Sequence, residues 1–507
     1  MINRILQTLI FIAFAFTSNA QHERCGVTHE DQKSMISFVE AFNKNALDFN
    51  YVRSVDPVYI PIRFHNVAKT DGTGRMKAKF ILDQMDVLIT DYKKMGIYLY
   101  IDEYSFSYLN NNNIYLNAGS FESTVVGNKD DDAVNIFIAE NADTPGGAGT
   151  TLGFYSPSGD YIIIRINDVR NATSSLSHEL GHFFSLPHTF FGWEGVFDIY
   201  NWTNGWNVNA FNGQMNLTNA PGSGVAVEVM NGSNCTTAAD RICDTPVDYN
   251  FGFGAEACDW NKTLLDINGD LIEPMEDNFM GYFLSCNSYQ FTQGQEDVIK
   301  ANFNSNGRSH LRKDYIPDTT HITSNHEILV PLQGEMLDQY DEVLLDWSDA
   351  VGASHYLVSI SNADENYEII VEGSEYLATE LAEQKFYFWE VQPFNDGFTG
   401  TTSKSSFFTT GQNSVATEDS KILNNVTVYP NPTQIGQYLN VNIQLEKSVS
   451  IDIDIVDITG KVIFQKSNQL HQGSNTINIT TVDMNTGLYF LKIKTDDGFI
   501  YKKIVMK

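Results

Sequence analysis

Positive charge is scarce in this chain: its 507 residues carry 32 Lys and Arg against 63 Asp and Glu, for a net charge of -31. Such a surface repels nucleic acid and anionic lipid, so neither is an expected partner, and it favours solubility. Long apolar runs are scarce as well. The one run of note, Ile5 to Phe16, follows Arg4 and precedes Ser18-Asn19-Ala20. It is shorter than the ~20 residues a membrane span needs. Its flanks are those of a secretory signal, so residues 1–20 are expected to be removed, leaving Gln21 first and no transmembrane segment in the mature chain. Cysteine is sparse, five in all, with no C-x-x-C pair of the zinc-knuckle kind. Four of the five, Cys235, Cys243, Cys258 and Cys286, crowd into one stretch and in an oxidising compartment are expected to form two disulfides. Three connectivities are open, and Cys235 with Cys243 and Cys258 with Cys286 is preferred.

What the chain does have is His178 to His188, HELGHFFSLPH. On a helix His178 and His182 leave the same face one turn apart, a two-point clamp for a metal. Catalytic zinc takes three protein ligands and keeps a fourth position open. His188 can be the third ligand only if the chain leaves the helix first, and Pro187, by pushing Leu186 out of the α region, places the exit around Ser185 and Leu186. Glu179 points away from the two imidazoles, as suits a general base rather than a ligand.

This pattern resembles the metzincin metalloproteases, H-E-x-x-H-x-x-G-x-x-H followed by a methionine turn. Ser185 stands where the family has glycine, and a side chain in a left-handed turn costs roughly 1 to 2 kcal/mol. Two later stretches are similar to the pappalysin branch. Asp240-Arg241-Ile242-Cys243-Asp244-Thr245-Pro246 matches a segment that helps build a calcium site there, which implies Asp244 and Thr245 as calcium ligands alongside the catalytic Zn2+. Asp266, Asn268 and Asp270 alternate like a calcium loop but with the glycine misplaced. Asn278-Phe279-Met280-Gly281-Tyr282 matches the methionine turn, which implies Met280 as a floor under the zinc and Tyr282 as a hydrogen-bond donor to the reacting carbonyl. Arginine-cleaving members carry an acid just after this turn; Phe283-Leu284-Ser285-Cys286 has none, so an apolar preference is expected. Cys25, in Arg24-Cys25-Gly26, is a candidate cysteine switch that fills the open zinc position in a zymogen.

The expected fold is multidomain, since 507 residues exceed one core and divide into about three domains. After a pro-segment at 21–55, residues 56–315 are expected to form an α/β (α+β) metzincin-like domain, a twisted sheet on two long helices of which the second carries the zinc pair. Its strands are Val58 to Val67, Ile97 to Ile101, Asn135 to Ala139 and Tyr161 to Ile166, with a helix striped by Ile81, Met85, Leu88 and Tyr92. Gly146 to Ser156 reads as a sheet edge able to pair with a peptide substrate, and Thr292-x-x-Gln295 as the capping box of a closing helix. Two all-β sandwich domains follow. Residues 322–411, with Trp347, Tyr356 and Trp389, resemble fibronectin type III, and 412–424 is a linker. Residues 425–507, with Val428-Tyr429-Pro430-Asn431-Pro432, Gly487-Leu488-Tyr489 and the terminal Lys502-Lys503-Ile504-Val505, resemble the C-terminal sorting domain of the type IX secretion system. That implies the type IX machinery as a partner and release outside the cell or attachment to its surface. The resulting expectation is a secreted monomeric zinc endopeptidase acting on protein or peptide substrates. The competing one is a surface adhesin that keeps the zinc site without turnover.

Overall fold

The structure is a computed structural model that describes residues 25–47, 56–143, 151–194, 214–252, 258–322, 325–397, 402–412, 423, 425–457, 461–482, 484–495 and 498–507. The expected signal peptide, residues 146–150 of the glycine-rich stretch, residues 195–213, most of the 412–424 linker and the turn residues Thr459, Gly460, Asp496 and Asp497 lie outside these.

The chain opens with helix α1, His29–Asn43, closed at its start by a reciprocal capping box between Thr28 and Asp31. Strand β1, Val58–Ala68, is buried almost throughout, as expected of a strand covered on both faces. Beside it lie β2 (Ile97–Ile101), β3 (Ser107–Asn110), β4 (Val134–Ala139), β5 (Gly153–Ser156) and β6 (Tyr161–Arg165). The path is β2-β1-β4-β6-β5, with β3 on the far half of β1. All pairs are parallel except β5 with β6, so β5 is an antiparallel edge. Helix α2, Ala78–Lys93, buries Ile81, Met85, Leu88 and Tyr92, and the Tyr92 hydroxyl donates to Ser177 O at 2.9 Å.

Short helices α3 (Asn112–Asn117), α4 (Glu122–Val126) and α5 (Ile166–Arg170) occupy connections. Helix α6, Ser175–Phe183, carries the first two histidines and is only nine residues long, shorter than the long helix expected. Ser185 ends it in the left-handed region at φ 68°. From Gly192 to Phe291 the described chain has no regular helix or strand, and disulfides Cys235–Cys243 and Cys258–Cys286 tie it together. Helix α7, Gln293–Asn304, follows, with the Thr292/Gln295 capping box formed.

The middle domain sets a five-stranded sheet against a three-stranded one, with Trp347, Tyr356 and Trp389 in the core between them. Its Glu368 accepts from Ala78 N at 2.9 and 3.0 Å, capping α2, which has no side-chain cap of its own. The last domain pairs a three-stranded and a four-stranded sheet around aliphatic side chains. Its strand Val449–Asp457 alternates buried and outward residues, as its sequence does. No helix among the described residues is long and apolar enough to cross a membrane.

Candidate active site and metal centre

The end of α6 builds the site. Leu186 N–H donates to Gly181 O (3.0 Å) and Ser185 N–H to His182 O (2.9 Å), the paired bonds of a left-handed helix cap. Ser185 takes the position glycine would favour, and Asn302 donates to its hydroxyl at 2.8 Å. This reversal brings His188 back against the helix. His182 Nε2 lies 3.1 Å from His178 Nε2 and 3.2 Å from His188 Nε2, with all three rings buried. His178 Nδ1 faces Phe279 O at 2.6 Å and His182 Nδ1 faces Leu186 O at 2.7 Å. Those carbonyls only accept, so each ring carries its proton on Nδ1 and turns a bare Nε2 toward the centre. Burial, helped by the neighbouring His188 ring, pushes His178 down to about 3, and burial holds His182 well below its ordinary value. Neutral imidazole nitrogens converging in a dry pocket suit a soft-to-borderline cation such as zinc. Cys25 Sγ completes a set of four ligand atoms lying within 4.8 Å of one another.

Glu179 stands beside this centre rather than in it. Its Oε2 accepts from Cys25 Sγ at 3.6 Å, and burial raises its carboxyl to about 8. Burial first, then the Glu179 charge, raises the Cys25 thiol as well. Edge strand β5 approaches so closely that a Cβ on Gly153 would sit 3.1 Å from Glu179 Cγ. The segment from Cys25 pairs with this edge in parallel, Gly26 N–H donating to Gly153 O at 2.9 Å.

Met280 is fully buried under the centre, and a Cβ on Gly181 would meet its sulfur at 2.5 Å, which explains the glycine inside the helical motif. Asn278 holds the turn, its Oδ1 accepting from Met280 N at 2.8 Å. The Tyr282 ring lies 5.0 Å from His188 and 6.0 Å from His178, and burial, then the charges of Cys25 and Glu179, keeps its phenol protonated. Beside Glu179 a pocket of about 400 Å³ including its mouth is walled by Leu152, Ser174, Ser175, Phe279, Leu284 and Tyr289, with no acid besides Glu179.

The two residues implied for calcium do separate jobs. Asp244 accepts from Thr292 Oγ1 (2.8 Å) and Gly294 N (2.7 Å) at the start of α7. The Thr245 hydroxyl lies 3.0 Å from Asp240 Oδ1 and 2.6 Å from Ile242 O. Asp266 accepts from the backbone of Asn268 and Asp270, a capped turn. Sequence reasoning missed Glu228 and Asp240, buried carboxylates that each keep one oxygen, Oε2 and Oδ2, without a hydrogen-bond partner. Burial pushes both upward, and the Asp240 charge adds to the effect on Glu228. Asp240 opens the Asp-Arg-Ile-Cys-Asp-Thr-Pro stretch and was findable there; nothing local marks Glu228. Gln32 and Glu194, both within reach of His188, were missed as well.

No curated protein sequence matches the chain. Among solved structures it is similar to a mutant promirolysin from Tannerella forsythia, at 15% identity and TM-score 0.38 over 57% of this chain and 96% of that one. The FN1–FN3 domains of chicken CNTN1 match at 12% identity and TM-score 0.16, over 38% of this chain and 65% of that one. Dimeric latent PorU from Porphyromonas gingivalis matches at 14% identity and TM-score 0.18, over 38% of this chain and 20% of that one. Residues 427–507 match the family model of the secretion system C-terminal sorting domain. That C-terminal unit is therefore a sorting domain, and the chain is exported, to the cell surface or the extracellular space.

Proposed function

We propose that this chain is a pappalysin-like zinc endopeptidase, delivered by the type IX secretion route and kept latent by the segment around Cys25. The observation that carries the reading is the meeting of three Nε2 atoms at 3.1 and 3.2 Å with a buried carboxyl on the next residue of the same helix. His178, His182 and His188 would hold the zinc. When bound, it supplies a Lewis acid that makes water acidic near neutrality and withdraws electrons from a peptide carbonyl.

The chain's own residues do the rest. Glu179 takes a proton from the attacking water and returns it to the leaving amine. The protonated Tyr282 hydroxyl donates to the oxygen on which negative charge grows. Once the leader departs, Gly153 O is released from Gly26 and strand β5 can align an extended substrate. The uncharged wall of Leu152, Phe279 and Leu284 favours an apolar side chain beside the cut. Glu228 Oε2 and Asp240 Oδ2, each without a hydrogen-bond partner, are hard oxygen donors of the kind a calcium ion would take.

Metal analysis of the purified full-length chain, with casein hydrolysis after leader removal, tests the reading. We expect stoichiometric zinc, and loss of both zinc and hydrolysis on chelation. Absence of zinc, or hydrolysis indifferent to its removal, overturns the reading. Zinc uptake with no cleavage across a peptide library leaves the adhesin. Cys25→Ala is expected to raise the precursor's activity; an equally silent precursor removes the thiol switch.

A further inference from the structure

We propose that Glu194 is the carboxylate that orients His188 for metal binding, and that Gln32 of the leader helix takes its place in the precursor. The inference rests on the zinc reading above and adds to Cys25 a lock on the opposite side of the third ligand.

His188 differs from the other two histidines. Where His178 and His182 each face a carbonyl through Nδ1, His188 Nδ1 faces Gln32 Nε2 at 2.9 Å. Neighbours fix which end of the Gln32 amide is which. Its oxygen accepts from His188 N at 2.8 Å, and its nitrogen donates to Glu194 Oε1 at 3.0 Å. The second N–H of that nitrogen is then aimed at His188 Nδ1, which has to accept it. A neutral imidazole that accepts at Nδ1 carries its proton on Nε2, the atom facing the centre, where it has to be displaced before a metal binds and so weakens ligation.

The acceptor that would reverse this stands directly behind. Glu194 Oε1 is 3.6 Å from His188 Nδ1, and its Oε2 is held by Gly192 N at 2.9 Å and lies 3.4 Å from His29 Nδ1. With the amide gone, the His188 proton can sit on Nδ1 toward that carboxylate and free Nε2 for the metal. A carboxylate behind a ligating histidine is what sets the ring's tautomer and raises its basicity. The leader grips firmly enough to impose the other tautomer: Gln32 is fully buried, and His29 stacks on Phe191 at 4.6 Å.

The test is a mutant cycle on the full-length chain, reading zinc affinity by competition with a chromogenic chelator. Gln32→Met keeps the length and removes the hydrogen bonds; it is expected to tighten zinc about tenfold, the lower end of what outer partners of metal ligands contribute. Glu194→Gln is expected to change affinity less than about threefold in the parent, where His188 does not lean on it, and to weaken it about tenfold or more in the Gln32→Met background. Glu194→Asp should restore most of that loss. Equal effects of Glu194→Gln in both backgrounds, or no tightening by Gln32→Met, overturn the proposal. Gln32→Leu repeats the cycle if the methionine variant melts early. A parent chain that takes up no zinc sinks the endopeptidase reading and this one together. A zinc-binding parent with additive effects sinks this one alone.

Discussion

The region around the three clustered histidines and the sorting domain solve the problem of burial in opposite ways. Between β1 and the end of α7 the protein buries Arg63, His65, Asp102, Asp168, Glu179, Glu228, Asp240, Asp248 and Lys300. From residue 425 onward, the buried polar side chains among those described are Thr433, Thr481 and Thr495. A buried charge is costly unless it is paired. Arg63 meets Asp102 at 3.1 Å and Asp130 at 3.2 Å, so part of the charge is structural. Glu179, Glu228 and Asp240 have no basic partner as close, and these are the positions to which the proposed function gives a proton or a cation. The sorting domain spends its interior on aliphatic side chains such as Leu439, Val441, Ile453 and Leu491.

The sharpest separation of the two regions is Glu179→Gln. It should lower hydrolysis by the processed enzyme about a thousandfold, within the range general bases supply, without loss of zinc or melting temperature. A variant that also unfolds would make Glu179 structural and blur the contrast. Ile453→Ala, from a fully buried site, should cost the sorting domain about 4 kcal/mol in denaturant unfolding while zinc content stays unchanged. Loss of zinc in that variant would show that the two interiors are not independent.

His65 gives the pH arm. Buried, stacked on Phe137 and bonded to Asn135, it is pushed down to about 4 mainly by burial. The folded state therefore binds less proton than the unfolded one. Stability is complete above about 6.5 and falls as pH drops toward 4, by about 3 kcal/mol for this group. Melting curves of the parent and of His65→Gln across that window check it; identical slopes would remove His65 from the account. Smallest is Thr292→Ala, which opens the capping box of α7 and should cost about 1 kcal/mol in the histidine-cluster region alone.

The parts legible in the sequence are those set by spacing along the chain. His178, Glu179 and His182 follow from helical geometry, and the exit at Ser185 from Pro187 two residues on. The strands of the central sheet and the Thr292 box were equally local. The unread parts depend on distant packing. Gln32 touches His188 across 156 positions, and Glu228 is defined only by the later chain folding over it. The length of α6 was overread because the apolar residues Phe184 and Leu186 continue past the helix end at Phe183, where they pack into the core outside the helix.

The proposed latency of the chain also outlines an inhibitor. Residues 25 to 32 carry, in one short stretch, a thiol for the metal position, an amide that occupies Gly153 O, and the Gln32 side chain behind His188. On the proposed function, a stapled peptide copying that stretch would engage three separate features at once, and so select for this site where a simple chelator does not.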